Sequence, residues 1–126
     1  MASTLAKLRY RRGMRVAVLG APAGFEAELV AARGVERVRT LEKDLDLVQA
    51  FFTRRTHLDR ELTRLRRSLG PRGILWLCYP KGRALDTDLN RDVVRERAAR
   101  KGLRAVSIVA VDAVWSALRC KLAAGR

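Results

Sequence analysis

Apolar residues along the chain fall into short runs, and segments with helical periodicity separate most of these runs. The runs predict strands because they are short, contain β-branched or aromatic residues, and are bounded by glycine, proline or polar residues. The run at 35–40 is the weakest, and a turn at 112–114 lets the last run return as an antiparallel partner. The predicted strands cover residues 14–19, 35–40, 45–52, 74–79, 103–111 and 115–122.

Three segments between the strands have helical signals, at residues 25–32, 56–69 and 86–101. The middle segment is the clearest, because its leucines recur at i, i+4, i+7 and i+11 and form one amphipathic stripe. These leucines are Leu58, Leu62, Leu65 and Leu69. The stripe predicts a helix that packs one face against a sheet and turns the other toward solvent.

Polar residues mark the starts of two of these helices. Thr56 and Asp59 have the spacing of a capping box, with aspartate in the place of the usual glutamate. Thr87 or Asp88 is the predicted N-cap of the third helix, because their side-chain oxygens accept hydrogen bonds from free backbone N–H groups.

Strands that alternate with helices imply a mostly parallel sheet with right-handed crossovers. We therefore predict the α/β fold class: a small, three-layer, Rossmann-like domain whose mostly parallel sheet has an antiparallel C-terminal edge strand. The length of 126 residues fits one domain. We place this domain at residues 13–126, after a basic N-terminal arm at residues 1–12 that Leu5, Leu8 and Tyr10 dock onto the body.

The net charge of +14 is the most unusual property of the composition, since 27 basic residues face 13 acidic ones. One interpretation is a polyanion partner such as nucleic acid, because arginine and lysine displace the condensed counterions of phosphate backbones. The other interpretation is a compositional preference for arginine, which supplies 22 of the basic residues. Composition alone specifies no site, so both interpretations stay open.

Residues 53–72 contain seven arginines and two acids, and they are the best candidate for a polyanion-binding face. Three of the arginines lie at i, i+4 and i+7, opposite the leucine stripe. Aromatic residues do not interleave with them, so contacts to phosphate are expected rather than base stacking. An ordinary solvated helix face is the alternative. The predicted nucleic-acid-binding residues are Arg55, Arg60, Arg64 and Arg67.

Ligands of open α/β sheets bind outside the carboxyl ends of the strands. Gly24 leads into a helix whose first N–H groups can bind an anion, and Lys81 adds a charge at the same edge. Trp115 can stack on a flat ligand while Asp112 accepts its hydrogen bonds. Each residue also has a purely structural alternative. The glycines would form only a tight turn, Lys81 would be solvated, Asp112 would cap a turn, and Trp115 would pack in the core. The predicted ligand-binding residues are Pro22, Gly24, Phe25, Lys81, Asp112 and Trp115.

The sequence predicts no catalytic residue, metal site or cofactor. The chain has a single histidine, His57, which falls in the first turn of a surface helix and is expected to be solvated. Cys78 and Cys120 are far apart in apolar stretches, so buried free thiols are expected rather than zinc ligands or a disulfide. Free thiols are typical of a reducing compartment, and the sequence has no apolar run long enough for a membrane-spanning helix. We therefore predict a cytoplasmic location. An exposed edge strand can also pair with the same strand of a second copy, so a homodimer stays an open alternative.

Three local patterns resemble a small family of bacterial domains to which no activity is assigned. The first is RVAVLGAPAGF at residues 15–25. The second is LGPRGILW at residues 69–76, followed by YPK at residues 79–81. The third combines TDL at residues 87–89 with VDAVWS at residues 111–116. The resemblance covers most of the chain and implies the fold rather than a function.

The second pattern is also similar to the sheet of S-adenosylmethionine-dependent methyltransferases, in which a leucine-rich helix ends in a turn that feeds a hydrophobic strand. That resemblance implies a glycine-rich G-x-G-x-G loop after the first strand and an acid at the end of the second strand for the ribose. Here the loop reads GAPAG at residues 20–24, and Pro22 removes one backbone donor. The acids after the second strand are Glu42, Asp44 and Asp46.

Three hypotheses of function follow from these observations. The first is a non-enzymatic binding or regulatory domain that takes an anionic ligand or a protein partner at the strand ends. The second is nonspecific nucleic-acid binding through the arginine-rich helix face and the basic arm. The third is a degenerate S-adenosylmethionine-dependent methyltransferase-like enzyme, which the cofactor or its product would stabilise. The absence of a catalytic constellation places the first hypothesis ahead of the other two.

Overall fold

The computed structural model describes residues 4–32 and 34–123, and over these residues six strands form one sheet. The strands are β1 (Arg15–Leu19), β2 (Glu36–Arg37), β3 (Leu45–Phe51), β4 (Leu69–Pro80), β5 (Leu103–Ala110) and β6 (Trp115–Leu122). The helices are α1 (Thr4–Lys7), α2 (Ala23–Ala31), α3 (Arg55–Ser68) and α4 (Arg91–Arg100).

The strand order in the sheet is β2-β1-β3-β4-β6-β5. The first four strands are parallel, whereas β6 is antiparallel to both of its neighbours, β4 and β5. The predicted α/β class is confirmed, including the mostly parallel sheet with an antiparallel edge at the C-terminal side. Within that edge, β6 is inserted between β4 and β5, so that β5 is the outermost strand.

The sheet is covered on both faces, and each face has its own apolar core. The leucine stripe of α3 packs into one core together with α4, and Leu58, Leu62 and Leu65 are fully buried there. The opposite core lies under α1 and α2 and is centred on Trp76, which is also fully buried. The two layers of helices explain why the predicted strands read as continuous apolar runs.

The N-terminal segment is packed onto the second core. Leu8 is fully buried, and its carbonyl accepts a hydrogen bond of 2.8 Å from the indole N–H of Trp76. The Tyr10 hydroxyl donates to the side-chain oxygen of Gln49 at 2.7 Å, which satisfies a buried amide in a central strand. The division into an arm at 1–12 and a domain at 13–126 stays a prediction, and residues 1–3, 33 and 124–126 lie outside the described residues.

The predicted cap of the last helix is wrong. That helix was predicted from residue 86, but α4 begins at Arg91, and the Asn90 side chain accepts a hydrogen bond of 2.9 Å from the backbone N–H of Val93. Thr87 is used elsewhere, because its hydroxyl donates to the carbonyl of Thr53 at 2.5 Å. A one-turn 3-10 helix at residues 84–86 occupies the start of the predicted segment.

The predicted capping box of α3 is also wrong. The helix begins at Arg55, so Thr56 lies inside it rather than at the N-cap. Instead, the carboxylate of Asp88 accepts a hydrogen bond of 2.8 Å from the backbone N–H of Arg55. Asp59 forms an ion pair with Arg97 of α4 at 3.4 Å. The first turn of α3 is therefore capped by a loop that lies 33 residues further along the chain.

Other boundaries differ by a few residues. The weak strand predicted at 35–40 is reduced to the two residues of β2, whereas β4 starts at Leu69, ahead of the predicted residue 74. A register shift between Leu45 and Leu47 accommodates this additional length of β4. In the described part of the chain, no helix is both long enough and apolar enough to cross a membrane.

Candidate functional site

A glycine turn at residues 20–24 connects β1 to α2 at the carboxyl end of the parallel strands. Gly20 has φ of +70°, and a Cβ at this position would lie 3.1 Å from the carbonyl oxygen of Phe51. A side chain is therefore disfavoured by both the backbone conformation and the close approach of β3. Gly24 is the opposite case, because apart from its chain neighbours and the backbone of its own helix no atom lies within 4 Å of the position that its Cβ would occupy.

The N-terminus of α2 faces this open space. Pro22 is in the N-cap position and offers no side-chain cap, while its carbonyl accepts from the N–H groups of Phe25 and Glu26 at 3.0 Å each. The N–H groups of Ala23 and Gly24 have no acceptor within the described ranges. Free N–H groups at a helix N-terminus favour an anionic group of a ligand.

A strand-end cavity of about 150 Å³ lies at the carboxyl ends of β1 and β3 and shares Gly20 with the glycine turn. His57 lines it and meets the ring of Phe52 edge to face, with ring centroids 4.8 Å apart. Arg64 donates two hydrogen bonds to one carboxylate oxygen of Glu61, at 2.9 and 2.7 Å. The full lining is Leu19, Gly20, Phe51, Phe52, His57, Glu61 and Arg64.

The sequence interpretation missed this side of the site. His57, Glu61 and Arg64 lie at i, i+4 and i+7 of α3, so they share one face of the helix. The spacing is present in the sequence, but the sequence predicts a surface helix and does not indicate that this face of α3 lines a cavity at the carboxyl ends of the strands. His57 is exposed as expected, and it is also one of the residues that line this cavity.

Two of the predicted ligand-binding residues are part of the core. Phe25 is 2% exposed and contacts the rings of Tyr10 and Phe51. Trp115 is 8% exposed and packs edge to face on Phe51, with ring centroids 5.1 Å apart. Core packing is therefore the favoured alternative for Trp115, because its ring already packs against the ring of Phe51.

Lys81 and Asp112 hold the β5–β6 turn against the end of β4. The ammonium of Lys81 donates to the backbone carbonyl of Asp112 at 2.6 Å. The carboxylate of Asp112 accepts from the N–H groups of Val114 and Trp115 at 2.8 Å each, which favours the turn-capping alternative. Neither residue is among those that line the strand-end cavity. That they bind a ligand stays a prediction.

A bidentate ion pair closes the side of the site next to β2. The guanidinium of Arg37 donates to the two carboxylate oxygens of Glu26 at 2.6 and 2.9 Å. The hydrogen bonds from Arg37 hold the pKa of Glu26 below its usual range, and the same bonds raise the pKa of Arg37. Beside this pair lies an open groove of about 360 Å³ that Val18, Arg37, Val38 and Arg39 line.

The acids that follow the second strand lie at the other end of the sheet. Glu42 forms an ion pair with the side chain of Arg15, at the start of β1. Asp46 accepts a hydrogen bond of 2.8 Å from the backbone N–H of Arg15. Asp44 precedes β3 directly and so belongs to the same amino-terminal edge. At the carboxyl edge, the carboxylate that contacts β2 through Arg37 is that of Glu26.

The arginine face of α3 is partly neutralised. Arg55, Arg60, Arg64 and Arg67 are exposed, but Arg64 is paired with Glu61. The backbone N–H of Arg55 is capped by Asp88, and Arg54, beside it, lies 3.9 Å from the carboxylate of Asp86. Binding of nucleic acid through these four arginines stays a prediction.

The two cysteines are free and buried. Burial raises the pKa of the Cys120 thiol to about 12 and raises that of Cys78 as well. Thiols of this kind are poor nucleophiles, because the thiolate is the reactive form. The reactive chemistry of a site at the carboxyl edge therefore has to come from other residues or from a bound group.

Several solved structures similar to this chain are methyltransferases. An S-adenosylmethionine-dependent methyltransferase from Aquifex aeolicus has a TM-score of 0.61 and 16% identity, covering 92% of this chain and 86% of that chain. A TehB-like enzyme of the same class from Corynebacterium glutamicum has a TM-score of 0.58 and 15% identity, covering 94% and 85%. The CcbJ methyltransferase from Streptomyces caelestis has a TM-score of 0.62 and 11% identity, covering 96% and 88%.

No protein-family model matches the chain, and no curated protein matches it either. At these identities, the likeness to the solved structures shows a Rossmann-like methyltransferase fold. The leading hypothesis of a non-enzymatic binding or regulatory domain is contradicted by this likeness, which favours the methyltransferase-like alternative. Methyl transfer depends on a cofactor more than on a fixed set of side chains, so the lack of a catalytic constellation does not count against this alternative.

The residues at the carboxyl edge fit the amino-acid end of S-adenosylmethionine better than its ribose. The open position at Gly24 and the free N–H groups of Ala23 and Gly24 form a cradle that a carboxylate can enter. At β2 the acid expected for the ribose is replaced by arginines, and Glu26 is the carboxylate left near that position. Pro22 takes the middle place of the G-x-G-x-G loop.

Proposed function

We propose that the chain is a degenerate methyltransferase-like enzyme that binds S-adenosylmethionine at the glycine turn. The observation that carries this proposal is the open cradle at Gly24, which opens at the N-terminus of α2 beside the strand-end cavity. In open α/β sheets this is the edge at which ligands bind. The likeness of the fold to methyltransferases supports the choice of ligand.

Each part of the site has a proposed role. The N–H groups of Ala23 and Gly24 bind the carboxylate of the cofactor, and Glu26, held by Arg37, accepts hydrogen bonds from the ribose hydroxyls. When bound, S-adenosylmethionine supplies an electrophilic methyl group on its sulfonium. The strand-end cavity takes the acceptor group, and the imidazole of His57, which lines this cavity, accepts the proton that the acceptor loses.

We expect the chain to bind the cofactor weakly, because the carboxylate for the ribose is poorly placed. A hydrogen bond to a charged group contributes about 1.5–3 kcal/mol, so a poorly placed ribose carboxylate costs roughly ten- to a hundredfold in affinity. We therefore expect S-adenosylhomocysteine, the product form, to bind in the range from high micromolar to millimolar.

The test is calorimetric titration with S-adenosylhomocysteine, together with thermal unfolding in its presence. Gly24→Leu should abolish binding, because the side chain fills the open cradle, while the melting temperature stays equal or rises in a helix that gains a better helix former. Val30→Leu is the control on the same helix, at a position that is 83% exposed, and should bind like the parent. No thermal shift at millimolar ligand would overturn the proposal.

Two further expectations belong to this proposal. We infer a cytoplasmic location, because Cys78 and Cys120 are free thiols, as is usual in a reducing compartment. We also keep the small bacterial family as the expected relatives, on the basis of the motifs at residues 15–25, 69–76 and 111–116.

A further inference from the structure

A basic cleft lies at the amino-terminal end of β4, where β4, β6 and β5 lie side by side. Its volume is about 340 Å³, which is within the size range of pockets for small ligands. Arginine and lysine are the only charged residues in its lining. The lining is Pro71, Arg72, Gly73, Ile74, Arg104, Arg119, Lys121 and Leu122.

The register of the sheet brings these cations together. Arg104 of β5 and Lys121 of β6 are register partners, so two like charges lie directly opposite each other. Arg119, two residues before Lys121, is the register partner of Trp76 in β4. Like charges directly opposite each other on adjacent strands destabilise a sheet. A compensating anion would turn this repulsion into attraction.

None of the four cations forms an ion pair with a carboxylate of residues 4–32 or 34–123. Asp44 and Asp46 line an adjoining cavity to which Arg72 also contributes, but neither carboxylate forms an ion pair with Arg72. Asp46 is also occupied by the backbone N–H of Arg15. Arg104, Arg119 and Lys121 therefore have no carboxylate in the cavity lining that they share, and Arg72 has acids nearby without an ion pair.

Arg119 has an additional signature of a missing partner. Its Nε is buried and has no hydrogen-bond acceptor within the described part of the chain. Burial, and then the neighbouring charge of Arg9, lower the pKa of Arg119. A buried donor without an acceptor is unfavourable unless a ligand or a water molecule satisfies it.

The basic cleft is separate from the glycine turn. Ile74, in the lining, lies six residues before Pro80 at the carboxyl end of β4, and six residues of strand span about 20 Å. A ligand in the cleft therefore does not contact the site at the carboxyl edge, and the inference does not depend on the proposed function.

We propose that the basic cleft binds two neighbouring phosphate groups, which belong either to a small phosphorylated molecule or to a nucleic-acid backbone. Phosphate fits because a phosphomonoester carries close to two negative charges and a backbone phosphodiester carries one, and because guanidinium groups match the phosphate oxygens with paired N–H donors. A single carboxylate would leave most of the four positive charges unbalanced. The concave shape favours a compact ligand over an extended surface contact.

The test uses two probes with the full chain: inorganic pyrophosphate by calorimetry, and a fluorescently labelled DNA duplex by polarisation over a salt series. Arg104→Gln combined with Lys121→Gln should weaken binding at least tenfold, while the melting temperature stays equal or rises because the repulsion is removed. The control is Arg83→Gln with Arg95→Gln, which removes the same charge at two exposed positions outside the cleft and outside the predicted nucleic-acid-binding face, and should change affinity less than twofold.

The probes also identify the source of the phosphates. Binding of pyrophosphate that the cleft variant loses indicates a small ligand, whereas binding of the duplex alone indicates a nucleic-acid backbone. Equal losses in the cleft variant and the control would overturn the proposal, because the effect would then reflect net charge. Absence of binding by both probes at low millimolar concentration and low salt would overturn it as well. Gly24→Leu should leave both titrations unchanged.

Discussion

The candidate site at the carboxyl ends of the strands and the basic cleft differ in how their positive charges are paired. At the carboxyl ends, Arg37 is paired with Glu26, Arg64 is paired with Glu61, and Lys81 donates to a backbone carbonyl. In the basic cleft, at the amino-terminal end of β4, Arg104 and Lys121 face each other with no carboxylate in the lining. Ion pairs within the chain fix the geometry of a site, whereas the unpaired cations of the cleft favour binding of an anionic ligand.

The largest effect on stability is expected from substitution of Gly20, at the carboxyl end of β1. Gly20→Ala should lower the free energy of unfolding by roughly 1–3 kcal/mol, because it combines a left-handed backbone with a close approach to the Phe51 carbonyl. Gly24→Ala is the matched control and should raise stability by up to about 1 kcal/mol, since its position is open and helical. Urea denaturation of both variants measures the difference; equal effects would mean that Gly20 is not constrained.

The next effect concerns the loop that leaves the carboxyl end of β4 and caps α3. Asp88→Ala should cost about 1 kcal/mol, within the usual range for loss of an N-terminal cap. Thr56→Ala tests the cap that the sequence predicted and should change stability by less than about 0.5 kcal/mol, because Thr56 lies inside the helix. A larger loss for Thr56→Ala than for Asp88→Ala would contradict the observed capping.

A smaller effect of opposite sign is expected in the basic cleft. Arg104→Glu places a carboxylate opposite Lys121 and should raise the free energy of unfolding by about 0.2–1 kcal/mol, while it weakens binding of pyrophosphate. Arg95→Glu, on the exposed surface of α4, is the control for the change in net charge. Chemical denaturation at two salt concentrations checks the sign, because added salt should reduce the gain.

The smallest effect is the titration of Glu26. Arg37 lowers the pKa of this carboxyl, so its contribution to stability is present above the pKa of the unfolded chain and is lost as the pH falls through the lower folded value. Arg37→Gln should move the pKa of Glu26 back toward its ordinary range, whereas Arg39→Gln should leave it nearly unchanged. Carboxyl-resolved NMR between pH 2 and pH 6, roughly the range of carboxyl titration, measures both shifts.

Periodic features of the fold were predictable from the sequence. The leucine stripe of α3 and the apolar runs that became β3 and β4 follow from spacing and burial, which are local properties. The cap of α3 was not predictable, because Asp88 reaches it only after a strand and a turn have brought the chain back. The place of β6 between β4 and β5 depends on pairing partners, which no local pattern encodes.

The candidate site was predictable only in part, for the same reason. The glycine turn stood out because glycine and proline act locally, and the structure places Gly24 at an open helix N-terminus. Phe25 and Trp115 were candidates by position in the chain, but their rings meet Phe51 in the core. The cations of the basic cleft were not recognised as a group, because Arg72 and Arg104 approach only through the register of the sheet.

The insertion of β6 between β4 and β5 has a consequence for the nascent chain. Since β5 pairs with the rest of the sheet only through β6, the ribosome must deliver β6 before β5 can join. Until then β4 presents an unpaired edge with apolar side chains, which is a template for wrong pairing. At about 5–20 residues per second this interval lasts for a few seconds. Chaperone binding to stalled chains should therefore be strongest for lengths that include β5 but not β6.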